Sequence, residues 1–189
     1  MFHSYFYLLL LGIGSYCLSC SSNQSLFSPS SNYEATQKAY PKLIKSPAVL
    51  QDHCKAQYSP TFKVLELQGK ELYDCLKFQP KALIYTWNMQ EDSLKYLPIE
   101  KVQQHCDQQG IRLYVVAAYY QGDILSREYA LDYPIVGINT SYYKSNTPII
   151  YHKNFLKDLG IILKEGQKGQ LHYFEYGNYH GVHKSLDAI

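Results

Sequence analysis

The residues with the clearest capacity for chemistry in this 189-residue chain are its five cysteines, which are Cys17, Cys20, Cys54, Cys75 and Cys106. A thiol can pair in a disulfide, bind a soft metal ion, act as a nucleophile or carry a lipid. The compartment helps to decide among these roles, because disulfides persist in exported proteins and are rare in the cytosol. The segments that carry the cysteines therefore have to be considered first.

An apolar run near the start of the chain indicates export. Residues 5–13, YFYLLLLGI, are too few to span a bilayer as a helix. Cys17 and Cys20 follow, which resembles a bacterial lipoprotein signal whose cysteine becomes the lipidated first residue. Cys20 fits this role better, since the small residue Ser19 precedes it. We expect residues 1–20 to be a lipoprotein signal peptide; the alternatives are an ordinary cleaved signal and an uncleaved anchor.

The composition of residues 21–32 indicates a tether. This segment is rich in serine and has neither helical nor strand periodicity, and such composition stays flexible. A lipid-anchored domain needs a spacer of this kind to stand off the membrane. No acidic cluster follows Cys20. We therefore expect residues 33–189 to form a domain of the bacterial envelope that faces the periplasm and is held to the membrane by its lipid.

If Cys20 is lipidated, three thiols remain, and one disulfide plus one free cysteine is the simplest arrangement. Cys54 and Cys75 both precede the first buried strand, so we predict a disulfide between them. Cys106 falls in a predicted helix, at a position that faces the core four residues after Val102. A free cysteine there behaves as a small hydrophobe. The alternative is a displaced peroxidatic or resolving thiol.

Charge and composition give no sign of a charged partner or a cofactor. The net charge is +2, which does not favour nucleic acid. The chain has 20 tyrosines against 7 phenylalanines, scattered along its length. We interpret them as half-buried aromatic residues with wet hydroxyls rather than as a ligand surface. His172, His180 and His183 lie near the C-terminus, but we expect no metal and no other cofactor.

Apolar periodicity predicts alternating strands and helices, hence an α/β sandwich with a mixed sheet. The predicted helices are one or two within residues 33–57, one at 98–109 that stops at Gly110, and one at 124–131. The predicted strands are 61–67, 70–75, 82–86, 112–118, 148–151 and 171–176, the first two forming a hairpin.

This order resembles the thioredoxin-like superfamily, specifically its branch of membrane-tethered thiol–disulfide oxidoreductases and peroxiredoxin-like proteins. Residues 65–87, LELQGKELYDCLKFQPKALIYTW, resemble that branch's opening hairpin and first core strand. Pro98 lies five residues after Ser93, as the family's helix proline follows its second cysteine. The resemblance covers roughly residues 60–176. It implies a three-layer sandwich with an N-terminal helical and hairpin extension.

The resemblance also identifies a turn that has lost its redox chemistry. The positions of the family's cysteine pair hold Gln90, Glu91, Asp92 and Ser93. Neither Gln90 nor Ser93 can form or exchange a disulfide. The acids suit the positive end of a helix. We therefore expect no catalytic residue at this turn.

A second motif implies what remains when catalysis is lost. Thr147-Pro148 corresponds to the family's cis-proline loop, which faces the cysteine pair and presents a backbone edge to substrate peptides. We therefore expect a protein- or peptide-binding or assembly module, with an unidentified envelope partner. The alternative is a thiol oxidoreductase or peroxidase that uses Cys54, Cys75 or Cys106.

The lipid assignment can be tested by substitution. We expect Cys20→Ala to abolish labelling by a radioactive or clickable fatty acid and to release the protein from membranes, because the acyl acceptor is gone. Cys17→Ala is the matched control and should leave labelling unchanged. Labelling that survives Cys20→Ala and disappears in Cys17→Ala would move the site to Cys17.

Overall fold

The computed structural model describes residues 31–50, 52–60, 62–89, 97–162 and 170–189. The predicted signal peptide with Cys20, residues 21–30 of the predicted tether and the turn at 90–93 lie outside the described residues. The helices are α1 (Tyr33–Ala39), α2 (Gly69–Leu76), α3 (Ile99–Gln109), α4 (Gly122–Leu125) and α5 (Pro148–Asp158). The strands are β1 (Ile44–Lys45), β2 (Val64–Leu67), β3 (Ala82–Trp87), β4 (Arg112–Ala117), β5 (Ile135–Ile138), β6 (Leu171–Glu175) and β7 (Asn178–His183).

The described strands form one mixed sheet in the order β1-β2-β5-β4-β3-β6-β7. Neighbours from β1 to β3 run parallel, whereas β6 pairs antiparallel with β3 and β7 antiparallel with β6. The prediction of an α/β fold with a mixed sheet is confirmed. No helix in the described ranges is both long enough and apolar enough to cross a membrane.

Both faces of the sheet are covered, so its central strands are apolar on both sides. In β3, Ala82 and Ile84 face a core shared with α2 and α5, whereas Leu83 and Tyr85 face a core shared with α3. Strand β4 alternates in the same way. Burial on both faces explains why residues 82–86 and 112–118 are continuous apolar runs. These runs predicted two buried strands, and both strands are confirmed.

The predicted strand at residues 70–75 is wrong, because this segment is helix α2. Its start carries a capping box, in which the Glu71 carboxylate accepts from the Gln68 N–H at 2.7 Å and the Gln68 side chain accepts from the Glu71 N–H. Leu72, Cys75 and Leu76 are fully buried at helical spacing. The predicted hairpin is therefore absent, and β2 pairs with β1 and β5 instead.

The predicted cis-proline loop and the strand after it are also wrong. Pro148 is the first residue of helix α5, and among the described residues no peptide bond is cis. Proline suits the first helical position because its N–H would have no partner there and its φ is already helical. Thr147 takes the extended conformation that a following proline favours. Buried Tyr151 and Phe155 lie one turn apart and seat α5 on the sheet.

Two further differences lie in the second half of the chain. The helix predicted at 124–131 is the single turn α4. The histidine-rich end is strand β7, which carries His180 and His183 and closes the sheet. Helix α3 ends as predicted, with Gly110 in the left-handed conformation at φ 65°.

Several buried tyrosines direct their hydroxyls to backbone carbonyls, which the sequence-based interpretation did not anticipate. The Tyr120 hydroxyl donates to the Ile138 carbonyl at 2.7 Å, and that of Tyr151 donates to the Ala118 carbonyl. Tyr120 is 1% exposed. A buried hydroxyl requires such a partner. These residues therefore combine apolar packing with satisfaction of carbonyls at the ends of strands.

We expect Gly137→Ala to lower the free energy of unfolding by about 1–3 kcal/mol. A Cβ at this position would lie 2.7 Å from the Tyr120 hydroxyl and 3.0 Å from Val64 Cγ1, both in the core. Urea unfolding measures the loss. In the Tyr120→Phe background the same substitution should cost less, because the nearest atom is gone. Additive costs in the double variant would contradict this packing.

Candidate functional site

An apolar groove lies at the carboxyl end of β3, where a parallel sheet commonly binds ligands. It has a volume of about 340 Å³. The residues that line it are Trp87, Asn88, Met89, Leu97, Pro98, Ile99, Glu100, Ile124, Arg127 and Tyr129. The predicted turn at Gln90, Glu91, Asp92 and Ser93 belongs to the segment between Met89 and Leu97 and lies outside the described residues.

The walls of the groove are fixed by aromatic contacts. The rings of Trp87 and Tyr129 meet edge to face, with centroids 5.6 Å apart. The Tyr129 hydroxyl donates to the Ile124 carbonyl at 2.9 Å, and burial raises the pKa of Tyr129 to about 12. The Tyr85 hydroxyl donates to the Leu97 carbonyl at 2.8 Å, which holds the entry to α3. The Tyr129 hydroxyl therefore stays protonated at physiological pH and can keep its hydrogen bond to Ile124.

The predicted proline loop does not contribute to this groove. Neither Thr147 nor Pro148 lines it. Both residues begin α5, which packs with α2 on the sheet face opposite α3. The turn that this loop was expected to face lies outside the described residues, so their relative placement stays a prediction.

The predicted disulfide between Cys54 and Cys75 is present, with Cα atoms 5.0 Å apart. Cys54 lies in a 3₁₀ turn, His53–Lys55, and Cys75 near the end of α2. The Asp52 carboxylate accepts from the Cys54 N–H at 3.1 Å and caps this turn. The bond joins the N-terminal segment to α2 near the amino ends of the central strands, away from the groove.

A second and larger cavity, of about 690 Å³, opens beside this disulfide. Cys54, Lys55, Tyr58, Gln79, Arg112 and Asp132 are among its lining residues. The Arg112 guanidinium lies over the Tyr133 ring at 5.3 Å from its centroid, and its Nε is buried without a hydrogen-bond partner in the described part of the chain. The half-buried Cys54 therefore faces a polar, cationic space, whereas Cys75 is fully buried.

Cys106 is the one free cysteine among the described residues, and it is buried on α3. Burial, with a smaller contribution from Asp107, raises the pKa of its thiol to about 12. The thiolate is the reactive form. Cys106 is thus placed as the small hydrophobe that the helix position predicted.

The C-terminal histidines are spread over β6 and β7 and pack against aromatic rings. Burial lowers the pKa of His172 to about 4, so its ring is neutral at physiological pH. Its Nδ1 lies 3.3 Å from the Tyr179 hydroxyl. His180 approaches Glu175 at 3.6 Å on the surface. These contacts are those of structural side chains.

Sequence reasoning missed Trp87 and Tyr129 as groove walls, and His53 beside the disulfide. The two wall residues are 42 positions apart, so no local pattern joins them. His53 had a signal, because it directly precedes a cysteine. Its ring nitrogen and the two sulfurs lie within 4.8 Å of one another.

The comparisons with known proteins give no relative. No protein-family model matches this chain, and no curated protein or solved structure matches it either. The function of the chain is therefore inferred from the geometry of its described residues.

We expect reduction of the Cys54–Cys75 disulfide to lower the free energy of unfolding by about 3 kcal/mol, because the bond closes a loop of 21 residues in the unfolded chain. Urea unfolding with and without a phosphine reductant measures this change. Cys54→Ser/Cys75→Ser is the control, in which the reductant should have no effect. An equal midpoint for the oxidised and reduced wild-type chain would contradict the prediction.

Proposed function

We propose that this chain is a lipid-anchored module of the bacterial envelope whose thioredoxin-like domain binds a polypeptide and does not exchange disulfides. The partner contributes a segment with a large apolar side chain, which enters the groove that Trp87 and Tyr129 line together. Its lipid on Cys20 and the tether after it keep the domain close to the membrane. The groove carries this proposal.

The order of elements supports a thioredoxin-like assignment. Strand β3 is followed by α3 and then by the parallel neighbour β4, and the sheet closes with the antiparallel pair β6 and β7. Three features differ from the family pattern: Pro148 is trans, β5 lies between β2 and β4, and the described chain ends without a helix covering the last strands. The proposed binding role therefore depends on the groove and not on a cis-proline loop.

The lining of the groove favours binding over catalysis. Its described residues are mainly aromatic and aliphatic, with Glu100 and Arg127 as its two charged side chains and no thiol. Pockets that bind by shape combine an apolar lining with a few polar groups that fix orientation. A volume of about 340 Å³ accommodates one or two large side chains. Burial of about 100 Å² of apolar surface there contributes roughly 2.5 kcal/mol.

The three described cysteines give little support to the alternative function, a thiol oxidoreductase. Cys106 is buried with its thiol protonated at physiological pH. Cys75 is fully buried, and its disulfide with Cys54 lies at the other end of the central strands from the groove. Thiol exchange needs an accessible sulfur. Among the described cysteines, Cys54 alone meets that condition, at the cavity lined by Arg112.

The groove can be tested inside cells by photo-crosslinking. We expect a benzophenone side chain at Met89 to yield one discrete cross-linked polypeptide, because Met89 lines the groove. Phe78 is the matched control, since it is 77% exposed and lies between α2 and β3. The purified partner should shift the emission of Trp87, the single tryptophan of the chain. Tyr129→Ala should weaken binding at least about tenfold, as expected of a buried aromatic anchor.

Two results would overturn this proposal. Equal cross-linking from Met89 and Phe78 would show no preference for the groove. A partner that binds without changing Trp87 emission, and with undiminished affinity for Tyr129→Ala, would bind elsewhere. Reduction of insulin disulfides by the purified chain, lost in Cys54→Ser, would favour the oxidoreductase alternative instead.

A further inference from the structure

We infer that reduction of the Cys54–Cys75 disulfide creates a zinc site formed by His53, Cys54 and Cys75. The His53 ring nitrogen and both sulfurs already lie within 4.8 Å of one another. This is the one group of three or more such ligands in the described ranges. Two thiolates and an imidazole are a ligand set that Zn²⁺ accepts.

The backbone that carries His53 and Cys54 is held at several points that do not depend on the disulfide. The Tyr133 hydroxyl donates to the His53 carbonyl at 2.7 Å, and Asp52 caps the Cys54 N–H. Ala56, which follows the turn, is buried in the core. Breaking the disulfide therefore leaves the two ligands of this turn in place.

The imidazole is oriented by a second contact. His53 Nε2 lies 3.3 Å from the Glu71 carbonyl oxygen on α2. When Nε2 donates this hydrogen bond, the other ring nitrogen keeps its lone pair for a metal ion. Metal-binding histidines commonly donate their second N–H to a carbonyl or carboxylate in this way. The same helix supplies Cys75, so α2 positions both the ligand and the orienting carbonyl.

The third ligand is fixed by the core. Cys75 lies on α2 between Leu72 and Leu76, and all three residues are fully buried. The helix also has its own capping box at Gln68 and Glu71. The sulfur of Cys75 therefore keeps its place when the bond to Cys54 is broken.

The cavity beside Cys54 provides the remaining coordination position. Its volume of about 690 Å³ admits solvent to the Cys54 side of the cluster. A zinc ion with three protein ligands and one solvent position is the arrangement of catalytic rather than structural sites. Arg112, Lys55 and Asp132 line the same cavity.

A dithiol can serve as the reductant of the Cys54–Cys75 disulfide. The dithiol gives two electrons to the Cys54–Cys75 bond, which breaks to two thiols, and the dithiol leaves as a cyclic or intramolecular disulfide. Binding of Zn²⁺ then displaces the two thiol protons to solvent. A disulfide-bonded dithiol would reverse the process by accepting the two electrons of the thiolates, so that the Cys54–Cys75 bond forms again, the dithiol is regenerated with two protons from solvent and the ion is released. The disulfide thus controls access of the metal to its ligands.

The test uses the full chain carrying Cys17→Ser and Cys20→Ser, so that the N-terminal thiols do not bind metal. After reduction with a phosphine, titration with Zn²⁺ against a chromophoric chelator should show one equivalent bound, and the oxidised chain should bind none. Co²⁺ should give the near-ultraviolet charge-transfer absorption of thiolate ligands. His53→Ala should weaken Zn²⁺ binding at least about tenfold, whereas His180→Ala, the surface control, should not.

The choice of variants keeps the proposal falsifiable. His53→Ala retains the disulfide, so its folding is verified in the oxidised state by near-ultraviolet circular dichroism before reduction. A reduced chain that keeps its circular dichroism but binds no Zn²⁺ would overturn the proposal. So would undiminished affinity in His53→Ala, or a reduced chain that loses its tertiary signal and does not recover it with Zn²⁺.

Discussion

The hydrogen bond from a tyrosine hydroxyl to a backbone carbonyl is the interaction on which both candidate sites depend. Tyr85 and Tyr129 fix the two sides of the groove through the carbonyls of Leu97 and Ile124. Tyr133 fixes the His53 carbonyl beside the disulfide. Each such bond contributes only about 0.5–1.5 kcal/mol net, but an unpaired buried carbonyl would cost more. Phenylalanine could not replace these three tyrosines, because it has no hydroxyl to donate to the loop carbonyls.

A sheet buried on both faces explains where the chemistry lies. Because β3 and β4 supply apolar side chains to two cores, polar and reactive groups are displaced to the strand ends. The carboxyl end of β3 carries the groove with Trp87, and the amino end of β4 carries Arg112 and the cavity beside Cys54. The two sites are therefore separated by the length of the central strands and draw on different elements.

The sequence was informative where one local signal decided the outcome. Continuous apolar runs identified β3 and β4, Gly110 marked the end of α3, and the count and positions of the cysteines identified the disulfide. The sequence was misleading where the same residues are compatible with two kinds of secondary structure. A glycine after Gln68 indicates a turn, but the Glu71 carboxylate makes it a helix start. An apolar stretch after Pro148 fits a strand or a first helical turn, and the spacing of Tyr151 and Phe155 selects the helix.

The groove and the meeting of His53 with Cys75 could not be predicted, because the residues concerned are distant in sequence. Tyr129 reaches Trp87 only because β4 and β3 are adjacent and the chain passes over their carboxyl ends before β5. His53 meets Cys75 only because α2 returns antiparallel to β2 and ends beside the 3₁₀ turn. In α2, Leu72 and Leu76 are buried in the core on either side of Cys75, so the position of this helix does not depend on the disulfide alone. A disulfide can open without unfolding the domain when the segments that carry its two cysteines are each held by other contacts. Under the proposal, the same two sulfur atoms then form a disulfide in the oxidised chain and bind the metal ion in the reduced chain.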